Sequence, residues 1–339
     1  MTTPNPLRLA LFLAALAAAL IGASLAKGGL YIGKHEGDML HLLQIVFREA
    51  QGQWPHLHFQ TPIGVLATAP IVFFVRLGAG VGQAMLYAQA LMAVVALPAI
   101  WWVARSRFQG WTAYAFGALV LGLILALVHG EADRSVSISM HYNRWAWAAA
   151  FLAIAPALLP AGKSPRPLAD GLVIGAALAA MGLIKATYLA AFLIPVAVGL
   201  LGRREMRTLA VALATGLAAA LMVTALAGTP LFWLAYLRDL ATVAASEVRP
   251  RAGLPFGTVI GAPAYMGGSI AVLAGVVFLR QSGRSLEGLV LLLLVPGFFF
   301  VTFQNFRNDP QWLWLLPLLI LALRPEKPVK VGPGWDGAQ

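Results

Sequence analysis

The residues best suited to chemistry gather between Lys34 and Gly64, in the segment KHEGDMLHLLQIVFREAQGQWPHLHFQTPIG that follows the first apolar run. Its first two carboxylates, Glu36 and Asp38, stand two residues apart. A carboxylate can act as general base on a hydroxyl, and a carboxylate pair can hold a divalent cation such as Mg²⁺ or Mn²⁺. Asp38 is equally suited to be the N-cap of a helix. We take Asp38 as the catalytic candidate and Glu36 as its runner-up, and leave the need for a metal open.

Four histidines accompany these carboxylates, at positions 35, 41, 56 and 58. Their spacing matches no compact zinc motif such as HExxH. We therefore expect these imidazoles to form hydrogen bonds at the interface or with a substrate rather than to ligate a metal, and His58 is a candidate substrate-binding residue.

A second polar segment, HGEADRSVSISMHYNRW, covers residues 129–145 and ends where another apolar run begins. Tyrosine and tryptophan commonly anchor such a position at the headgroup level of a membrane. Asparagine and arginine beside them could instead hold a phosphate or a sugar hydroxyl. The candidate substrate-binding residues here are His141, Tyr142, Asn143 and Arg144.

Two more basic residues are candidates for binding an anion. Lys185 is isolated between two apolar runs in GLIKATY. A buried ammonium is costly in lipid and is usually functional, although a lysine can also extend its amine to the interface. Arg238 lies in the amphipathic stretch TPLFWLAYLRDL, where it could serve the site or form an ordinary surface ion pair with Asp239.

The composition is that of a polytopic membrane protein, because 60% of the residues are apolar and only 11% are charged. A soluble domain carries about 25% charged residues. There is no cysteine, so disulfide and thiolate chemistry are absent. The basic residues that give the net charge of +11 are scattered between the apolar runs. This distribution is expected for cytoplasmic loops and for contact with anionic lipid headgroups. It does not match nucleic-acid binding, which requires a basic stripe or patch.

The apolar runs predict an all-α protein with about ten transmembrane helices. A span needs about 20 apolar residues, and residues 62–75 are too few, so this stretch is predicted to be half-embedded. Residues 38–49 predict an amphipathic helix in the interface. A cleaved signal peptide is the alternative for the first run. The predicted spans are 7–26, 83–104, 111–128, 145–160, 170–184, 186–201, 207–227, 258–280, 285–303 and 310–324.

The charges predict the orientation of these spans. With residues 62–75 not crossing, thirteen basic and five acidic residues fall on the side of the N-terminus, whereas all six histidines fall on the other side. An excess of Lys and Arg marks the cytoplasmic side. We expect one transmembrane domain over 1–324, with a first outer loop at 27–82, and a short cytoplasmic tail at 325–339.

This order of parts resembles the GT-C superfamily of integral-membrane glycosyltransferases, which includes bacterial oligosaccharyltransferases and the lipid A aminoarabinose and protein mannosyl transferases. The resemblance covers mainly residues 1 to about 200. It rests on the acidic first outer loop, the turn GQWPHLHFQTPIG and the later Tyr142-Asn143-Arg144. It implies that Asp38, or else Glu36, is the catalytic or metal-binding acid, and that Lys185 and Arg144 hold the lipid phosphate. The sequence departs from the family at the second outer loop, where acids occur only at Glu131 and Asp133.

The resemblance predicts an enzyme of the bacterial plasma membrane that moves a sugar from a polyprenyl-phosphate carrier to a lipid or glycan acceptor at the outer face. Two other classes stay open at this point. A secondary transporter or lipid flippase would require charges near the midplane and broken helices in two matching halves, and Lys185 is its main candidate. A non-catalytic membrane subunit would only present the outer loops to a partner.

Overall fold

The computed structural model describes residues 4–33, 36–126, 135–136, 141–162, 165–245, 257, 261–305 and 311–324. Helices dominate this part of the chain, as predicted. A 3₁₀ turn covers Val65–Ala67, and two short strands, β1 (Tyr31–Ile32) and β2 (Ser135–Val136), form a parallel pair. The helices are α1 Pro6–Leu25, α2 Glu36–Ala50, α3 Ala69–Arg76, α4 Val81–Arg107, α5 Trp111–Leu125, α6 His141–Leu158, α7 Pro167–Ile184, α8 Ala186–Gly202, α9 Met206–Ala227, α10 Leu231–Ala244, α11 Pro263–Gln281, α12 Ser285–Gln304 and α13 Trp312–Leu323.

Each of the ten predicted spans coincides with one helix, apart from predicted ends that fall at residues outside the described ranges. In the described chain, six helices are long and apolar enough to cross a membrane: α1, α4, α7, α9, α11 and α12. Three more, α5, α8 and α13, are apolar but shorter. These features define a helical membrane protein; the full count of ten crossings stays a prediction.

Three arginines join helix ends at one end of the bundle, which we call the arginine face. Arg107 at the end of α4 pairs with Asp170 at the start of α7, with 2.7 Å between Nη2 and Oδ2. Arg203, after α8, donates to the carbonyl oxygens of Pro156 and Leu158 at the end of α6. Cations at helix C-termini are favourable because they compensate the helix dipole.

The third arginine extends the arginine face to the C-terminal helices. Arg284, between α11 and α12, donates to the carbonyl oxygen of Leu323 at the end of α13, at 2.6 Å. At the start of α1, the carbonyl of Pro6 accepts a hydrogen bond from Trp101 Nε1 near the end of α4. Starts of some helices therefore meet ends of others, which is the alternation that consecutive membrane crossings require.

The opposite ends of the same helices meet at a second face, which we call the histidine face and define by His56, His141 and Lys185. Lys185 separates α7 from α8 and contacts Asn305, which directly follows α12. His141, the first residue of α6, contacts Ala67 of the 3₁₀ turn. These contacts place His141, Asn143 and Lys185 away from the arginine face. They do not involve the candidates on the exposed part of α2, Glu36 and Asp38.

Residues 62–75 form the 3₁₀ turn and the short helix α3 rather than a full span. The eight residues of α3 cover about 12 Å, less than half of a hydrocarbon core of about 30 Å. Pro70 occupies the first turn of α3, where a missing N–H costs nothing. The segment is therefore too short to cross, in agreement with the prediction; its depth in the bilayer stays a prediction.

The amphipathic helix predicted at 38–49 is present as α2, but one of its residues faces the other way. Met39, Leu42, Ile45 and Val46 are buried, as expected. The helical periodicity of residues 38–49 predicts Glu49 on the polar side, together with Asp38, His41, Gln44 and Arg48, yet Glu49 is only 5% exposed. The reason is local: its carboxylate lies beside α3, where the Thr68 hydroxyl donates to Oε1 at 2.9 Å.

Candidate functional site

The α7–α8 break places Lys185 among three polar side chains. Lys185 has an extended backbone (φ −158°, ψ 108°) between two helices. Its Nζ donates to Asn143 Oδ1 at 3.1 Å and to Asn305 Oδ1 at 2.5 Å, and lies 5.7 Å from the centre of the Tyr142 ring. The two amides are neutral, so these contacts orient the ammonium without cancelling its charge. We call Tyr142, Asn143, Lys185 and Asn305 the lysine cluster.

The lysine cluster brings together three of the sequence candidates, Tyr142, Asn143 and Lys185, and adds Asn305, which the sequence did not reveal. Asn305 is 1% exposed, and its Nδ2 lies 3.4 Å from Tyr188 Oη. Asn143 is also buried, and its Nδ2 has no hydrogen-bond partner among the residues that the structure describes. A buried donor without a partner is costly. An amide donor next to an ammonium therefore suits a ligand oxygen.

His141 and Arg144 flank the lysine cluster on α6. His141 is fully buried, and its Nε2 lies 2.8 Å from the carbonyl oxygen of Ala67, which makes Nε2 the protonated nitrogen. Arg144 donates through Nη2 to the carbonyl oxygen of Ala126, at the end of α5. These contacts give both residues a positioning role, beyond the substrate binding that the sequence suggested.

The loop from Trp54 to Gly64 is held on α10 by a buried hydrogen bond between His56 and Asp239. His56 Nδ1 lies 2.9 Å from Asp239 Oδ2, and both side chains are fully buried. The His56 ring packs against Phe232 and Tyr236. Burial lowers the pKa of His56 below its usual value, and the hydrogen bond to Asp239 opposes that effect. We infer a neutral imidazole that donates to Asp239 and holds the loop.

The other two candidates on this loop and α10 act on the loop itself. His58 is exposed, but its Nδ1 accepts the backbone N–H of Trp54 at 2.9 Å. Arg238 is 59% exposed at its side chain and donates to the carbonyl oxygen of His56 at 3.3 Å. Both therefore stabilise the turn, and Arg238 keeps most of its guanidinium accessible.

Gly64 fixes the loop against the α7–α8 break. Its N–H donates to the carbonyl oxygen of Ile184 at 2.9 Å. A Cβ at this position would overlap the carbonyl oxygen of Leu183, so only glycine permits the approach. The TPIG motif thus serves close packing beside Lys185.

The structure places Asp38 and Glu36 on the exposed side of α2. The helix begins at Glu36, so Asp38 lies within the first turn and is not the N-cap that the sequence allowed. Two acids in a first turn are favourable because of the helix dipole. In the described chain, no hydrogen bond or ion pair joins either acid to Arg144 or Lys185. The predicted catalytic acids and the lysine cluster are thus two separate features of the described chain.

No group of three metal-ligating side chains is found among the described residues. Lys34, His35, Glu131 and Asp133 lie outside these ranges. A requirement for Mg²⁺ or Mn²⁺ therefore stays as open as the sequence left it.

Glu49 is the titratable residue that sequence analysis missed. Burial raises its pKa to about 7, although the Thr68 hydroxyl and the Arg76 guanidinium both favour the charged form. Arg76 Nη2 also donates to the backbone carbonyl of Glu49. The sequence signal was weak, because a carboxylate on an amphipathic helix normally indicates a solvated face.

We expect Glu49→Gln to change the pH dependence of stability. Since the pKa is about 7 in the folded protein and 4.5 as a reference, the folded state binds the proton more tightly. Wild-type stability should then fall as pH rises from 4.5 to 7, by up to about 3 kcal/mol. In detergent, the thermal unfolding midpoint of Glu49→Gln should be higher than that of wild type at pH 8.5 and equal to it at pH 4.5. The exposed Glu36→Gln serves as control; equal pH profiles for wild type and Glu49→Gln would contradict the assignment.

An apolar groove of about 550 Å³ lies between α7, α8 and α9. Its walls are aliphatic, with Leu178, Leu193 and Leu217 as examples, and α10 covers one end through Trp233 and Tyr236. Tyr236 donates its hydroxyl to the carbonyl oxygen of Gly182 at 2.7 Å, which ties α10 to the end of α7. The groove therefore reaches the histidine face, where Gly182, Leu183 and Ala186 border it next to Lys185.

The apolar helices define a helical membrane protein, and an apolar groove lies between three of them. No protein-family model, no curated protein and no solved structure matches this chain.

Proposed function

We propose that this protein is a membrane glycosyltransferase that moves a sugar from a polyprenyl-phosphate carrier to a lipid or glycan acceptor. The reaction would take place at the outer face of a bacterial plasma membrane, with the N-terminus in the cytoplasm. The observation that carries the proposal is the apolar groove whose border includes Leu183 and Ala186, on either side of the α7–α8 break at Lys185.

The groove matches the chemistry of a polyprenyl chain. Its lining is almost wholly hydrocarbon, so a chain of isoprene units gains the free energy of burial along its length. Beyond the tail, a phosphate needs cations and donors. Leu183 and Ala186, which line the groove, flank Ile184 and Lys185 in the chain, and Arg238 follows the lining residue Leu237 in α10.

The lysine cluster provides donors for a leaving phosphate. Negative charge grows on this group as the sugar departs, and preorganised donors stabilise it. Lys185 Nζ, the unpartnered Asn143 Nδ2 and the neighbouring Arg144 supply such donors. Asp38 would take the proton of the acceptor hydroxyl, with Glu36 as runner-up, and both are exposed to the aqueous side of α2.

The decisive experiment measures transfer from a radiolabelled polyprenyl-phosphate sugar in membranes that contain the protein. Asp38→Asn should abolish transfer while the protein remains folded and still binds polyprenyl phosphate. Full transfer by Asp38→Asn would refute the role of Asp38. Absence of both transfer and polyprenyl-phosphate binding in wild type would refute the function, and substrate uptake into proteoliposomes would replace it with transport.

A further inference from the structure

A small pocket on the histidine face, separate from the lysine cluster and from the apolar groove, combines polar and aromatic groups. It has a volume of about 220 Å³ and lies between the end of α2, the following loop and α3. Among its walls are Glu49, Trp54 and Arg76, with Val65, Val72 and Phe73 as apolar partners. At about 30 Å³ for each water, it holds about seven waters, the space of a single small ring rather than of an oligomer.

The charges of the pocket select a neutral ligand. The Glu49 carboxyl is 5% exposed, and Arg76 donates to the carbonyl oxygens of Glu49 and Ala50. An anionic ligand would meet the Glu49 carboxylate, and a cationic one would meet the Arg76 guanidinium. Burial of either charge without compensation is costly. A ligand with hydroxyls can instead bond to both groups without a net charge.

The remaining walls select a ligand with an apolar face as well. The Trp54 ring is half-buried, packs edge-on against Phe232 and lines the pocket. Val65 and Val72 offer only hydrocarbon to the ligand. An aromatic face next to charged hydrogen-bonding groups suits a ring that presents C–H bonds on one side and hydroxyls at its edge.

We propose that the pocket lined by Glu49, Trp54 and Arg76 binds a monosaccharide unit of the acceptor, with its ring against Trp54 and its hydroxyls on Glu49 and Arg76. The role of the bound sugar as the acceptor rests on the proposed function. The binding of a neutral sugar to the pocket does not. Glu49 is held in place by Thr68 through Oε1, which leaves Oε2 for the ligand.

The test is saturation-transfer NMR on the purified protein in detergent, with methyl α-D-glucopyranoside, methyl α-D-mannopyranoside and methyl β-D-galactopyranoside as probes. We expect signal transfer to at least one of these glycosides in wild type. Ala69→Phe, which fills the pocket from α3 and leaves its polar groups intact, should reduce the signal at least tenfold. Glu49→Met should do the same. Ala214→Phe, at an exposed position of α9 outside the pocket and the groove, is the matched control and should bind as wild type does.

The outcomes separate this inference from the proposed function. Absence of binding for every probe, or equal binding by wild type and Ala69→Phe, would overturn the sugar pocket. Sugar binding that Ala69→Phe abolishes, in a protein that transfers nothing from polyprenyl-phosphate sugars, would keep the pocket and refute the enzyme. Transfer that Ala69→Phe leaves unchanged would keep the enzyme and refute the pocket as its acceptor site.

Discussion

Replacement of Lys185 by methionine is expected to lower sugar transfer by about two to three orders of magnitude, the usual effect of removing one preorganised donor to a developing negative charge. Methionine keeps the length of the side chain but not its charge. The Oδ1 atoms of Asn143 and Asn305 would lose the hydrogen bonds that Lys185 Nζ donates to them, and the proposed leaving phosphate would lose a cation. The measurement is initial-rate transfer at saturating carrier, together with the affinity for polyprenyl phosphate.

Two variants make this result specific for the charge of Lys185. Lys185→Arg should recover part of the rate, since it retains the cation in a different shape. Arg105→Met removes a cation at the arginine face, where Arg105 lies over the Trp101 ring, and should transfer at the wild-type rate. A Lys185→Met protein as active as wild type would show that the lysine cluster only supports the fold.

The second large effect is expected on stability, at the ion pair between Arg107 and Asp170. Both side chains are almost fully buried, at 1% and 3% exposure, and Trp102 Nε1 donates to Asp170 Oδ1 at 2.9 Å. Removing one member of such a pair leaves an uncompensated buried charge and costs about 3–5 kcal/mol. We expect Asp170→Leu to lower the thermal unfolding midpoint strongly and to reduce the yield of folded protein.

The double variant Arg107→Met/Asp170→Leu distinguishes the cost of an orphaned charge from the value of the pair. Because two apolar residues of similar size can replace a buried pair at little cost, we expect the double variant to recover most of the stability that Asp170→Leu loses. A double variant as unstable as the single one would mean that the pair itself stabilises the joint between α4 and α7. Transfer should be unaffected in folded protein, since the pair lies at the arginine face.

Sequence reasoning located the helices because in lipid the length of an apolar run is itself the structural constraint. It also found that residues 62–75 are too short to cross. It named Asn143 and Lys185 as separate candidates for substrate binding. It could not predict their contact, since nothing in a linear pattern brings residue 143 next to residue 185. Asn305 was missed because it lies just beyond a predicted span and 120 residues from Lys185.

The same limit explains the wrong prediction for Glu49 on α2 and the missed contact of the loop from Trp54 to Gly64. Helical periodicity assigns a face to Glu49 but cannot tell that α3 returns to cover that face. The partnership of His56 with Asp239 depends on a contact across 183 residues, and a sequence alone carries no sign of such a contact. In both cases, residues that are distant in the sequence form the environment of a polar side chain.

The contact between His56 and Asp239 also has a consequence for biogenesis. The partner of His56 is synthesised 183 residues later, which takes about 10–40 s at ribosomal speeds of about 5–20 residues per second. During that interval the first loop has left the ribosome but lacks α10, and the end of α7 against which Gly64 packs is also still to come. The loop is therefore translated well before the residues that fix its final structure.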